Sequence, residues 1–171
     1  VKAVSRDYVC AEYRNSYRNT DNFISSNCCA GDCDNTHSDN PADWITPENV
    51  AETFPGVTFW VHYSRHHMKE KKGKAPRPKF HIGFQIDPVS SPEQLKRLKE
   101  RVHERFPFFD PKAMDSAHFF YGTDDPQVEF HPGAKTLNEF LGDDGEDFDA
   151  GMSRGSYGSN FVIEEGRRNA T

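Results

Sequence analysis

Apolar and polar residues alternate strictly over residues 80–87, with Phe80, Ile82, Phe84 and Ile86 on one side and His81, Gly83, Gln85 and Asp87 on the other. A period of two marks a strand with one face on a core. This segment is therefore expected to bury its phenylalanines and to present His81 on an open face. GVTFWVHYS (residues 56–64) alternates in a similar way, and FISSNCCAGDCD (residues 23–34) reads as another strand. The period lengthens to that of a helix in SPEQLKRLKERVHERF, where Leu95, Leu98, Val102 and Phe106 make one stripe behind a Ser91 cap and Pro92. A shorter helix is expected from Pro47, capped by Thr46 and with acids in its first turn.

Beyond the long helix, PFFDPKAMD reads as a turn, SAHFFYG as a strand, PQVEFHPG as a short extended return and KTLNEFL as a last short helix. Residues 1–22 are polar and aromatic without a clear period. The order of strand, helix, two strands, helix and strands predicts an α+β domain, with helices over one face of a sheet and the other face free. Residues 142–160, acidic and then rich in Gly and Ser, read as a disordered linker.

A chain of 171 residues is long enough for one compact domain with a real core. With 35% hydrophobic and 28% charged residues, that core is modest and the surface wet. No run approaches the eighteen or so apolar residues that span a bilayer, and no signal peptide is visible, so no membrane role is expected. Val1 in place of Met makes the chain read as a piece of a longer protein. Cys10, Cys28, Cys29 and Cys33 form no spaced framework and read as small buried thiols. A zinc site from Cys29, Cys33 and His37 lacks a second cysteine pair to complete it.

The net charge of −6 hides a segregation. SRHHMKEKKGKAPRPK (residues 64–79) carries Arg65, Lys69, Lys71, Lys72, Lys74, Arg77 and Lys79 against Glu70 alone. A lysine-rich run is most simply a solvated loop. Set between two strands of an acidic protein, it is equally a surface for phosphates.

The strand at residues 23–34 ends in NCCAGDCDN, which puts Asp32 and Asp34 on one face by period. Two adjacent carboxylates repel unless solvent or a cation separates them. They could simply end the strand in an Asx-type turn. Combined with His81, a further acid in FFDPKAMD and the basic loop, they instead suit phosphoryl transfer with divalent metals. Carboxylates hold Mg²⁺ or Mn²⁺, substrate phosphates complete the shells, and a histidine with cations holds a triphosphate in line.

These motifs resemble the catalytic domain of archaeo-eukaryotic primase-polymerases, of the kind carried by bacterial phages, plasmids and integrative elements, over nearly the whole chain. GDCDN is similar to the first motif, which implies Asp32 and Asp34 as metal ligands. VHYSRHHMKEKKGKAPRPKFHIGF is similar to the second. It implies His81 on the nucleotide phosphates, with Ser64, Arg65, Arg77 and Lys79 as nucleotide-binding neighbours, and Lys69, Lys71, Lys72 and Lys74 on nucleic acid. FFDPKAMDSAHFFYG is similar to the third, with Asp110, or alternatively Asp115, as the last acidic ligand. His118, also implied as nucleotide-binding, stands where such proteins usually have arginine, and a mostly neutral imidazole is a poor substitute for a forked, permanent cation.

The resemblance implies a sheet of RNA-recognition-motif type with a small N-terminal α/β flanking subdomain, in a catalytic domain over residues 1–141. It further implies a two-metal DNA primase and polymerase acting on single-stranded DNA with nucleoside triphosphates, in the cytoplasm of a bacterium hosting the mobile element. FVIEEGRRNAT (residues 161–171) resembles the opening of a helical primase C-terminal domain, which implies a longer natural protein with a helicase partner. The alternative is a catalytically weak module that binds single strands by stacking bases on an exposed Trp60. A metal-dependent nuclease would use similar carboxylates but has no need of the basic loop.

Overall fold

The computed structural model describes residues 2–142 and the backbone of Glu164 and Glu165. The expected linker after Gly142, and the terminal segment apart from those two glutamates, lie outside the described residues. A five-stranded antiparallel sheet forms the centre, in the order β2 (Glu12–Tyr13), β3 (Phe23–Cys33), β5 (Phe80–Val89), β4 (Phe59–Tyr63) and β6 (Val128–His131). A separate two-stranded ribbon pairs β1 (Tyr8–Val9) with β7 (Glu164–Glu165). Three helices complete the fold: α1 (Pro47–Thr53), α2 (Pro92–Arg105) and α3 (Leu137–Leu141). Among the described residues no helix is long and apolar enough to cross a membrane.

The helices form where the sequence places their signals. Ser91 Oγ accepts from the Gln94 N–H at 3.2 Å and opens α2. The Asn49 side chain accepts from the Thr46 N–H at 2.9 Å and closes the start of α1. The helices bury Val50, Phe54, Leu95, Leu98, Val102, Phe106 and Leu137 against Phe59, Val61, Phe80, Ile82, Phe84 and Ile86 of the sheet. Each such side chain contributes roughly 1.5–3 kcal/mol by leaving water. Cys29 and Cys33 alternate inward on β3 and join the same core.

The second face of the sheet is not free, contrary to the expectation from sequence. Val4, Tyr8 and Cys10 from the N-terminal segment, with Phe120, cover Cys28 and Ala30 of β3 and Trp60 of β4. Tyr8 and Phe120 exchange two backbone hydrogen bonds of 2.9 Å each. His81 is consequently 7% exposed and Trp60 4%. The covering segment has no period because it is a strap, in which single-turn 3₁₀ helices and two-residue strands separate side chains that plug the face one at a time.

Close approach explains two glycines. A Cβ on Gly83 would collide with the Trp60 indole, and one on Gly122 with the backbone of Arg6 in the strap. Two further expectations change. SAHFFYG forms no strand, only the bridge between Phe120 and Tyr8. Residues 2–22 hold no α-helix, so the strap takes the place expected for an α/β flanking unit.

Candidate functional site

Register brings the chemistry together. Asp32 on β3 lies opposite His81 on β5, which lies opposite His62 on β4. Residues paired directly across antiparallel strands share a face, so the three make a lateral row on the side that the strap covers. Tyr8 reaches down into this row. Its hydroxyl is 3.0 Å from His62 Nδ1 and 3.0 Å from His81 Nδ1. The far nitrogen of His62, Nε2, is 3.1 Å from Thr123 Oγ1. His81 Nε2 stands 3.3 Å from Asp32 Oδ1, and His118 Nε2 is hydrogen-bonded to Asp32 Oδ2 at 3.3 Å.

The approach of His81 to Asp32 is close but off-line, so the buried Oδ1 keeps no aligned hydrogen-bond partner. A buried carboxylate oxygen in that condition favours a further positive group. The His62 and His81 imidazoles are both pushed toward the neutral form. Burial, reinforced by His81, pushes His62 down to about 4. Burial also lowers His81, against the smaller opposing pull of Asp32 and Asp34, while His118 and Arg65 add to the lowering. The Tyr8 phenol is raised, first by burial and then by nearby thiols and Asp32.

Asp34 lies one residue past the end of β3 and pairs with Lys79 Nζ at 3.5 Å. The Asp34 side chain is 42% exposed whereas that of Lys79 is 9% exposed, so the ammonium depends on this carboxylate. Asp32 and Asp34 thus have different protein partners within one neighbourhood.

The third acid is placed differently from expectation. The Asp110 backbone N–H donates to Asp32 O at 2.8 Å, while its Oδ1 accepts from the Lys112 N–H at 2.9 Å and caps the 3₁₀ turn Pro111–Met114. Asp115 Oδ1 accepts from the Ala117 N–H at 2.8 Å. Both carboxylates serve their own turns, each bonding the backbone N–H two residues on, as Asp readily does. Among the described residues no three His, Cys, Asp or Glu side chains converge as a metal-holding group. The cysteine–histidine zinc set is also dispersed. Cys29 and Cys33 are free thiols in the helix-side core, and His37 bonds Asp43 O at 2.8 Å.

Arg77 is the clearest correction among the cations. Instead of facing nucleotide, it is buried, and its guanidinium donates to Asn35 O at 2.9 Å, Ser38 O at 3.1 Å and Asp39 Oδ1 at 2.7 Å. The cause is local. Asn35 takes a positive φ of 50°, and the chain then folds back over residues 35–45 with carbonyls that need donors. The Asn35 side chain stitches the same loop through Ile45 N, Ile45 O and Pro78 O.

Ser64 supports the start of the basic loop, its N–H bonding Lys79 O at 3.0 Å and its Oγ accepting from the His66 N–H. Arg65 lies over the Tyr121 ring at 4.0 Å, exposed, and acts on His81 electrostatically. Lys69, Lys71, Lys72 and Lys74 are exposed on a hairpin whose tip, Lys72 and Gly73, takes positive φ. Lys74 also approaches Asp39 at 3.8 Å. The loop's field registers on His66, which is lowered by burial first and then by Lys71, Arg65, Lys79 and Lys69.

Tyr8, His62 and Lys99 carry structural weight that the sequence reading did not assign. His62 belongs to the polar phase of its strand, and only the β4–β5 register shows that it shares a row with His81. Lys99 sits within the helix stripe and is buried, donating to Ala113 O at 2.7 Å and Asp115 O at 3.1 Å. It ties α2 to the turn that precedes His118. Comparison with protein-family models, with curated proteins and with solved structures finds no match.

Proposed function

We propose that this chain is the catalytic domain of a template-directed nucleotidyltransferase, a DNA primase and polymerase that joins nucleotides on single-stranded DNA. The observation that carries the reading is Asp32. It lies at the end of a central strand between His81 and His118, with one carboxylate oxygen lacking an aligned donor. The Asp34–Lys79 pair and Arg65 lie within electrostatic reach of the same histidine row. The order β3, β5, β4, with α1 between the first two in sequence and α2 after the third, supports the reading for three strands of an RNA-recognition-motif sheet, although β6, after α2, pairs with β4 rather than β3.

The donor set suits Mg²⁺ or Mn²⁺, hard cations commonly held by one or two carboxylates with substrate phosphates filling the remaining positions. Asp32 and Asp34 would hold it, Asp110 reaching the site through its backbone alone. Bound there, the cation would supply positive charge to offset the negative charge that develops on the leaving pyrophosphate. His81, neutral, offers an Nε2–H to a phosphate oxygen, and Lys79 and Arg65 supply fixed charge beside it. The reaction joins a primer 3′-oxygen to the α-phosphorus of the incoming nucleotide, breaks the bond to pyrophosphate and releases the hydroxyl proton. The exposed lysines of the hairpin hold template phosphates without reading bases. A helicase would supply the single strand in the full replication machinery.

The binding-module alternative loses its main platform, because Trp60 is covered by the strap. The test is incubation with single-stranded template, labelled nucleotides and Mg²⁺ or Mn²⁺, with products sized on a gel. Asp32→Asn combined with Asp34→Asn, which keeps shape and an amide oxygen near Lys79, should abolish incorporation in a folded protein. Full synthesis by that variant, or none by the unaltered protein, refutes the assignment.

A further inference from the structure

Two arrangements of protons satisfy the hydrogen bonds of the row, running in opposite directions, and the carboxylate beside His81 Nε2 selects between them. A carboxylate 3.3 Å away repels a bare nitrogen lone pair and favours an N–H even off-line, so the His81 nitrogen facing Asp32, Nε2, carries the hydrogen. Neutral imidazole has one N–H, which leaves His81 Nδ1 as an acceptor for the Tyr8 hydroxyl 3.0 Å away. That hydroxyl has one proton to give. Toward its other neighbour it must therefore accept, and His62 Nδ1, also at 3.0 Å, is the donor. His62 Nε2 is then bare and takes the Thr123 hydroxyl proton at 3.1 Å. Every bond in the row points the same way, from Thr123 toward Asp32.

We propose that Tyr8 is a positioning residue for His81, fixing it as the Nε2–H tautomer so that its one proton is turned to the Asp32 end of the site. Several features make Tyr8 suited to the task. It is fully buried, its ring stacks on Phe120 at 5.4 Å, and its backbone is bonded to Phe120 on both sides. The hydroxyl therefore has little freedom to turn away. Because the contact of His81 Nε2 with Asp32 Oδ1 is off-line, that N–H is not consumed within the protein and stays available to a ligand oxygen. The use of that proton on a phosphate rests on the nucleotidyl-transfer reading, but the tautomer does not.

The experiment is long-range ¹H–¹⁵N correlation NMR of histidine-labelled protein at pH 8, with the His81 signals assigned by their loss in His81→Gln. The unaltered protein should show His81 protonated at Nε2 and bare at Nδ1. Tyr8→Phe keeps the ring and removes the donor, and should lower the ratio of Nε2–H to Nδ1–H forms by roughly three- to tenfold, the worth of one hydrogen bond. His62→Gln should leave the ratio unchanged, since Asp32 still faces Nε2 and the Tyr8 hydroxyl can still donate to Nδ1. An Nδ1–H form in the unaltered protein, or identical spectra for Tyr8→Phe, overturns the proposal. If Tyr8→Phe does not fold, the unaltered protein and His62→Gln decide, and a changed tautomer in His62→Gln overturns it.

In the incorporation assay, Tyr8→Phe should lower kcat by roughly three- to tenfold with the template KM unchanged. A tautomer change with unchanged kcat overturns the positioning role. A tautomer change in a protein that incorporates nothing supports the assignment of Tyr8 and sinks the nucleotidyl-transfer reading instead.

Discussion

Acidification should weaken the fold through His62. In the unfolded chain the imidazole titrates near its ordinary value of about 6.5, whereas burial holds it at about 4 in the folded protein. The unfolded state thus takes up the proton first. The contribution is complete above about pH 6.5 and is lost progressively as the pH falls toward 4. A gap of about 2.5 units corresponds to about 3 kcal/mol when fully lost, and about 2 kcal/mol at pH 5. Against a total stability of about 5–15 kcal/mol for a domain of ordinary size, that is a large share.

His81 is lowered by the same first cause and adds to the effect with the same sign. The His62 part is therefore read by difference. Urea unfolding at pH 7.5 and pH 5 should show a loss smaller by about 2 kcal/mol in His62→Gln, whose amide does not titrate, than in the unaltered protein. Equal losses in the two proteins would refute the claim that a neutral His62 is locked into the row by burial.

Two other outcomes separate cations that look alike in sequence. Arg77→Lys should cost about 2 kcal/mol, seen as a fall of roughly 4–8 °C in Tm, because an ammonium lacks the fork that serves Asn35 O, Ser38 O and Asp39 together; an unchanged Tm would contradict that role. Replacing Lys69, Lys71, Lys72 and Lys74 by Gln should change stability by less than about 0.5 kcal/mol yet flatten the salt dependence of DNA binding measured by fluorescence anisotropy. An unaltered salt slope would make the hairpin a solvated surface only.

The legible parts of the fold are those where one side chain after another obeys a single neighbour rule. Phe80 to Ile86 alternate because one partner surface lies beneath them all, and Leu95 to Phe106 recur because α2 rests on that same surface. The strap obeys no such rule. Val4, Tyr8 and Cys10 each fill a separate gap, so residues 2–22 present no period to read, and the face they cover looked free. The aspartate–histidine neighbourhood could be anticipated from residue types and strand phase. Its row required register, which joins His62 to His81 and Asp32 across three strands. The misplacement of Arg77 has a similar origin. Its neighbours in sequence are basic loop residues, but its partners are carbonyls exposed by a left-handed turn at Asn35, some forty residues earlier.

The strap also sets an order of events during synthesis. Tyr8 leaves the ribosome ahead of its partners, for its hydroxyl partners lie 54 and 73 residues further on, and its backbone partner Phe120 is later still. At about 5–20 residues per second it waits several seconds for them. Contacts of such separation carry a loop-closure cost that is recovered only when the distant partner arrives. A nascent chain that has completed β3, α1, β4 and β5 can therefore bring Asp32 and His81 together while their cover is still loose. The histidine row closes only once Phe120 has emerged, well after the strands that carry its histidines have paired.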